Sequence, residues 1–150
     1  MDNQKSFLQL KIVWKDDDMF ELEVLASNGR YTGTTEVYDT STSLENFAKS
    51  LVGYPTVDTK TLIHEAGQKD SHSYFAMTFY CIDNSGHIGV QIELEESVAT
   101  NYRKEEKDKI KLEIIVVPNG IDKFQKELLQ LATTQNGIAT LYGQDTPNEL

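Results

Sequence analysis

The chain has 150 residues, enough for one domain that buries roughly two thirds of the surface its unfolded form exposes, so folding needs no disulfide or metal. A formal net charge of −10 repels phosphate backbones, and the basic cluster Arg103, Lys104, Lys107, Lys109 and Lys111 is interleaved with Glu105, Glu106 and Asp108, which argues against nucleic-acid binding. Met1-Asp2-Asn3-Gln4-Lys5 lacks the regions of a signal peptide, no apolar run reaches membrane-spanning length, and the single cysteine, Cys81, suits a reducing compartment, so the expectation is a soluble cytoplasmic protein.

Alternation of apolar residues places a first strand over about 7 to 14, with Leu8, Leu10, Ile12 and Trp14 on one face. A second, over about 19 to 27, carries Phe20, Leu22, Val24 and Ala26. The acidic loop Lys15-Asp16-Asp17-Asp18-Met19 joins them with Trp14 opposite Phe20, Ile12 opposite Leu22 and Lys11 opposite Glu23. Asn28-Gly29 tolerates the positive φ of a type I′ turn, which sets Ser27 opposite Arg30 and leads into a third strand over about 30 to 38. In that register Phe20 meets Val37, Leu22 meets Thr35, and Glu21 falls opposite Glu36, an unfavourable pair of like charges.

Thr42-Ser43-Leu44-Glu45 matches a capping box, and Leu44, Phe47, Ala48, Leu51 and Val52 form one apolar stripe of a helix that Gly53 and Pro55 end. A strand near 60 to 66 follows, with Leu62 and His64 on one side and Ile63 and Glu65 on the other, its facing ambiguous. Residues 74 to 95 read as a hairpin turning at Asp83-Asn84-Ser85-Gly86. Phe79 then faces Val90, Met77 faces Ile92 and Phe75 faces Leu94 on the inner side, while Tyr80 pairs with Gly89 and Thr78 with Gln91 on the outer side. Cys81 lies in the apolar row, as a core residue.

The polar stretch Glu95 to Asp108 reads as a long, mobile connection, after which Ile110, Leu112, Ile114 and Val116 alternate in another strand. Pro118-Asn119-Gly120 ends it, with Asn119 expected as the cap of a helix from about Ile121 to Thr133 whose buried face holds Ile121, Phe124, Leu128, Leu131 and Ala132. Asn136-Gly137 leads to a last short strand, Ile138 to Tyr142. The expected domain is 1–143, with 144–150 a flexible polar tail.

The order βββαββββαβ predicts an α+β fold: one antiparallel, meandering sheet of seven or eight strands with two helices on one face. A curled sheet or half-barrel around the longer helix satisfies the same pattern.

The phrases Ala26-Ser27-Asn28-Gly29-Arg30-Tyr31, Leu51-Val52-Gly53-Tyr54-Pro55, Phe79-Tyr80-Cys81-Ile82-Asp83 with Gly86-His87, and Ile121-Asp122-Lys123-Phe124 together resemble a family of short, uncharacterised bacterial proteins. The resemblance implies a one-domain cytoplasmic α+β protein, and it implies no established activity and no functional residue. In size and charge the chain is also similar to immunity proteins that neutralise a cognate toxin, an analogy of shape alone.

The residues themselves offer two functional surfaces. Glu21, Glu23, Glu36, Tyr38, Tyr74, Thr78, Tyr80, Gln91, Glu93 and Glu95 are expected on the outer sheet face, where aromatic anchors beside carboxylates suit a basic protein partner. The same residue types also tolerate any half-exposed sheet face. The alternative is a small-ligand or enzymatic pocket rimmed by Tyr80, Asp83 and His87. No catalytic pair emerges: His64 and Glu65 point to opposite faces of a strand, and His72 lies in a loop. Asp16-Asp17-Asp18 lacks calcium-loop spacing, the histidines and cysteine match no zinc pattern, and Gly86-His87-Ile88-Gly89 is no phosphate loop, so neither metal nor cofactor is expected. Self-association through a free sheet edge is left open.

Overall fold

The computed structural model describes residues 6–56, 59–68, 72–97 and 107–144. Within them the apolar alternation becomes strands β1 (Phe7–Lys15), β2 (Phe20–Ser27), β3 (Thr32–Asp39), β4 (Leu62–Gly67), β5 (Ser73–Cys81), β6 (Ile88–Ser97), β7 (Lys107–Val116) and β8 (Ile138–Tyr142). Helix α1 (Ser41–Ser50) follows β3, and α2 (Pro118–Thr134) lies between β7 and β8. The fold is α+β, as expected.

The single sheet is not formed. The strands make two antiparallel sheets of four, in the orders β3-β2-β1-β8 and β4-β5-β6-β7. Because a helical connection does not dictate which strand the chain pairs with next, the chain leaves the first sheet at α1 and comes back to it at α2. After the helix the chain returns to the open edge of β1, where Leu8 pairs with Leu141 and Leu10 with Ala139. A backbone hydrogen bond from Gln144 N–H to the Ile115 carbonyl (2.6 Å) joins this corner to β7.

The two sheets cross face to face. Along β3, Asp39 bonds His64 of β4, the Thr35 hydroxyl donates to the Glu95 carbonyl of β6 at 3.1 Å, and Gly33 lies against Leu94 and Ile110. A strand that meets β4, β6 and β7 in turn runs across the second sheet rather than along it. At Gly33 a Cβ would come within 2.9 Å of the Ile110 side chain, so the close approach of the sheets uses glycine's missing side chain.

The helices fill the rest of the space between the inner faces. Phe79 of β5 stacks on Phe124 of α2 at 6.5 Å between centroids, and the rings of Phe47 and Tyr54 stand 5.7 Å and 6.4 Å from it. Leu8, Leu22, Val37, Leu44, Met77, Ile92, Ile114, Leu128 and Leu141 join the same core.

Several local expectations shift. The hairpin of β5 and β6 keeps its expected register, Phe79 with Val90 through Phe75 with Leu94. Between β1 and β2, Ile12 still faces Leu22 and Lys11 faces Glu23, but a bulge between Ile12 and Trp14 sets Trp14 opposite Glu21 and turns the indole away from the core. The Asn28-Gly29 turn is wider than a two-residue loop. Asn28 Oδ1 accepts from the N–H groups of Arg30 and Tyr31, both at 2.9 Å, so pairing starts at Ser27 with Thr32. Glu36 therefore faces Glu23, Glu21 faces Tyr38, and Leu22 faces Val37; the two-residue slip keeps every side chain on its expected face.

Helix α1 starts earlier than the capping-box pattern suggests, because Thr40 supplies the cap, its hydroxyl accepting from Ser43 N–H at 3.2 Å. Val52 lies beyond the helix and is exposed. Helix α2 starts at Pro118 rather than at about Ile121, since proline's missing N–H would have no helical partner in the first turn anyway, and Val117 rather than Asn119 is the cap. The ambiguous strand β4 buries His64 and Ala66 and exposes Ile63. The expected connection at 95–108 is shortened by β6 and β7; residues 98–106 lie outside the described residues, as do 145–150 of the expected tail.

Asp39 and His64 are both buried, with Oδ2 and Nε2 2.7 Å apart. Removing one partner leaves the other without its bond in a dry setting. Asp39→Ala is expected to lower stability by roughly 2 kcal/mol in urea unfolding, with unchanged circular dichroism under native conditions.

Candidate functional site

The crossing of the sheets separates the residues expected on one face into two groups. Glu21, Glu23, Glu36 and Tyr38 lie on the outer face of β3-β2-β1-β8; Tyr74, Thr78, Tyr80, Gln91, Glu93 and Glu95 lie on the outer face of β4-β5-β6-β7.

On the first face the register builds successive cross-strand rows. Trp14, Glu21 and Tyr38 share one; Lys11, Glu23 and Glu36, with Ile138 at the edge, share the next. Trp14 and Tyr38 are 46% and 54% exposed and their rings meet edge to face, centroids 6.0 Å apart. Tyr142 and Ile138 add exposed apolar surface along β8. Partial burial pushes the Glu21 pKa above the usual carboxylate value, and the Glu36 carboxylate pushes it further. Among the described residues no cation lies within ion-pair distance of Glu21, Glu23 or Glu36.

The second face is arranged differently, because its polar groups bond one another. The Tyr74 hydroxyl donates to Glu65 at 2.5 Å, the Tyr80 hydroxyl donates to Glu113, and Lys111 lies 3.6 Å from Glu93. Burial and these carboxylate partners push both phenol pKa values up. To reach Glu113 on β7, the Tyr80 ring lies across Gly89, where a Cβ would collide with it. Tyr74 and Glu95, expected to face water, are only 4% and 3% exposed. Lys109 and Lys111 also stand on this face opposite Glu95 and Glu93, so its charge is mixed.

The hairpin end of β5 and β6 borders a cleft of about 460 Å³ lined by Pro55, Thr56, Cys81, Asp83, His87 and Pro118. Asp83 Oδ2 meets His87 Nδ1 at 2.9 Å, while Asp83 Oδ1 accepts from Ser85 N–H at 2.8 Å. The Ser85 bond is the main cause that holds the Asp83 pKa below its ordinary value; desolvation opposes it, and the His87 bonds add to the lowering. Tyr80 is turned to Glu113 and does not join this wall, which corrects its expected place on the pocket rim. His64 and Glu65 do point apart, His64 into the core against Phe47 and Glu65 outward to Tyr74. Asp16 uses its carboxylate within the turn, accepting from Asp18 and Met19 N–H.

Two features escaped the sequence. Trp14 was expected inside, and no residue type in Ile12-Val13-Trp14 signals the bulge that exposes it. A second cleft, of about 450 Å³, lies where Tyr31, Gly33 and Thr34 of the β3 end approach Leu94, Glu96 and Lys109; it exists only because the sheets cross.

Among the described residues no group of three or more His, Cys, Asp or Glu side chains could hold a metal ion, and no helix is long and apolar enough to cross a membrane. Compared with known proteins, the chain matches no family model, no curated protein and no solved structure.

Folding raises the Glu21 pKa, so this group costs the folded state stability as pH rises through its raised value and costs nothing below the ordinary carboxylate range. Glu21→Gln is accordingly expected to raise the thermal midpoint at about pH 7, by less than about 1 kcal/mol in stability, and to bring no gain at about pH 3. Differential scanning calorimetry across that range checks the sign.

Proposed function

We propose that the protein is a non-enzymatic interaction module that binds a basic protein partner through the open outer face of β3-β2-β1-β8. The observation that carries this reading is the grouping of Glu21, Glu23 and Glu36 beside exposed Trp14 and Tyr38, the two glutamates Glu23 and Glu36 directly opposite one another. Like charges in register destabilise a sheet, and a bound cationic surface removes that repulsion. The overall charge of −10 steers such a partner at low salt. On the second sheet the carboxylates already serve Tyr74, Tyr80 and Lys111, which favours a structural role there.

An immunity-like neutralisation of a basic toxin would use this chemistry, and the unpaired thiol of Cys81 fits a reducing compartment such as the cytoplasm. Affinity capture from native lysate at low and high salt tests the reading. A basic protein retained at low salt by the parent chain and by Glu93→Lys, and bound about tenfold or more weakly by the Glu23→Lys/Glu36→Lys variant, is the expected outcome. Capture indifferent to salt and to the double substitution overturns it.

The Asp83–His87 cleft supports a second reading, a small-ligand site. A thermal-shift screen of small molecules should then find compounds that raise the melting midpoint of the parent protein and leave His87→Ala unmoved.

A further inference from the structure

The bulge between Ile12 and Trp14 does more than expose an indole. It brings Trp14 into register with Glu21, which is itself in register with Tyr38, so three neighbouring strands present aromatic, carboxylate and aromatic in one row. Strand spacing puts the backbones of β1 and β3 roughly 10 Å apart across β2. The two ring centroids are nevertheless 6.0 Å apart, so the side chains lean toward each other over the middle strand, where Glu21 stands. At an interplanar angle of 83° the edge of one ring meets the face of the other, and the two form a surface corner in which about half of each residue remains exposed.

Such a corner offers negative π faces at right angles together with a carboxylate. Glu36 lies close enough to Glu21 to add its field. The ligand chemistry that uses all of these groups is a planar cation: a guanidinium stacks on an aromatic face, pairs with a carboxylate through two parallel N–H donors, and sheds water more readily than an ammonium. We propose that Trp14, Glu21 and Tyr38 form the anchor for an arginine side chain of the basic partner. This rests on the reading of the first sheet face as the interaction surface and names the contact within it.

Trp14 is the chain's single tryptophan, so its emission reports on this corner directly. The full chain is titrated at low salt with a hexa-arginine peptide and, separately, with hexa-lysine. The expected result is a saturable change in Trp14 emission, with roughly threefold or greater preference for arginine. Glu21→Gln and Tyr38→Ala lose the response while keeping the parent circular dichroism spectrum, and Glu93→Gln retains it. A response equal for both peptides, or unchanged in Glu21→Gln, overturns the arginine anchor. The captured partner separates this from the parent reading: binding that survives Trp14→Ala and Glu21→Gln but not Glu23→Lys/Glu36→Lys overturns the anchor alone, whereas binding indifferent to all of them overturns both.

Discussion

The bond between Asp39 and His64 is the constraint on which the arrangement of this molecule turns. It is short, buried and intersheet: Asp39 closes β3 in one sheet, and His64 sits in the middle of β4 in the other. Its position ties in a third layer, because Asp39 Oδ1 also accepts from Thr40 N–H, and Thr40 caps α1. The far end of the second helix is drawn to the same place by Gln135, whose amide donates to the Ser41 hydroxyl at 2.8 Å. A polar pair taken out of water has to keep its partner, so both sheets and α1 are oriented by one geometry. The Phe47 ring then lies against the imidazole, 5.2 Å between centroids, and packs in turn on Phe79.

That geometry decides which sheet faces remain outside the core. Crossing the sheets consumes both inner faces and leaves two outer ones, each striped with tyrosine and glutamate. Composition does not distinguish them; hydrogen bonding does. On β4-β5-β6-β7 the tyrosines reach across strands to carboxylates, and the Tyr80 ring covers the backbone at Gly89 in doing so. These contacts stiffen the sheet and satisfy its polar groups. On β3-β2-β1-β8 Glu23 and Glu36 stand directly opposite one another, Glu36 pushes the Glu21 pKa up, and Trp14 and Tyr38 meet edge to face in the neighbouring row.

Much of the fold was legible because local chemistry constrains it. Alternation in Phe75 to Cys81 and Ile88 to Leu94, with a turn that closes only one way, was enough to specify the β5–β6 register residue by residue. The apolar stripe of α2 was equally clear, and every residue expected on it is buried. Readings that leaned on one residue's usual habit fared less well. Asn28-Gly29 suggested a two-residue turn, yet the Asn28 side chain satisfies two further N–H groups and a four-residue loop results. Trp14 looked like a core residue from its place in an alternating row, and a one-residue bulge reversed it.

By itself, then, the sequence determined the elements, their order and the inward side of both helices and of the strands other than β4 and the Trp14 end of β1, since those follow from side-chain periodicity and turn chemistry within short stretches of chain. Only the tertiary structure decided that eight strands divide into two crossing sheets, that Asp39 finds His64, that Tyr74 and Glu95 are covered, and that Trp14, Glu21 and Tyr38 converge. Each of these depends on how strands separated by a helix choose their edges and how closely two sheets can approach. Such choices are made by packing across distant segments, where no local pattern of residues carries the information.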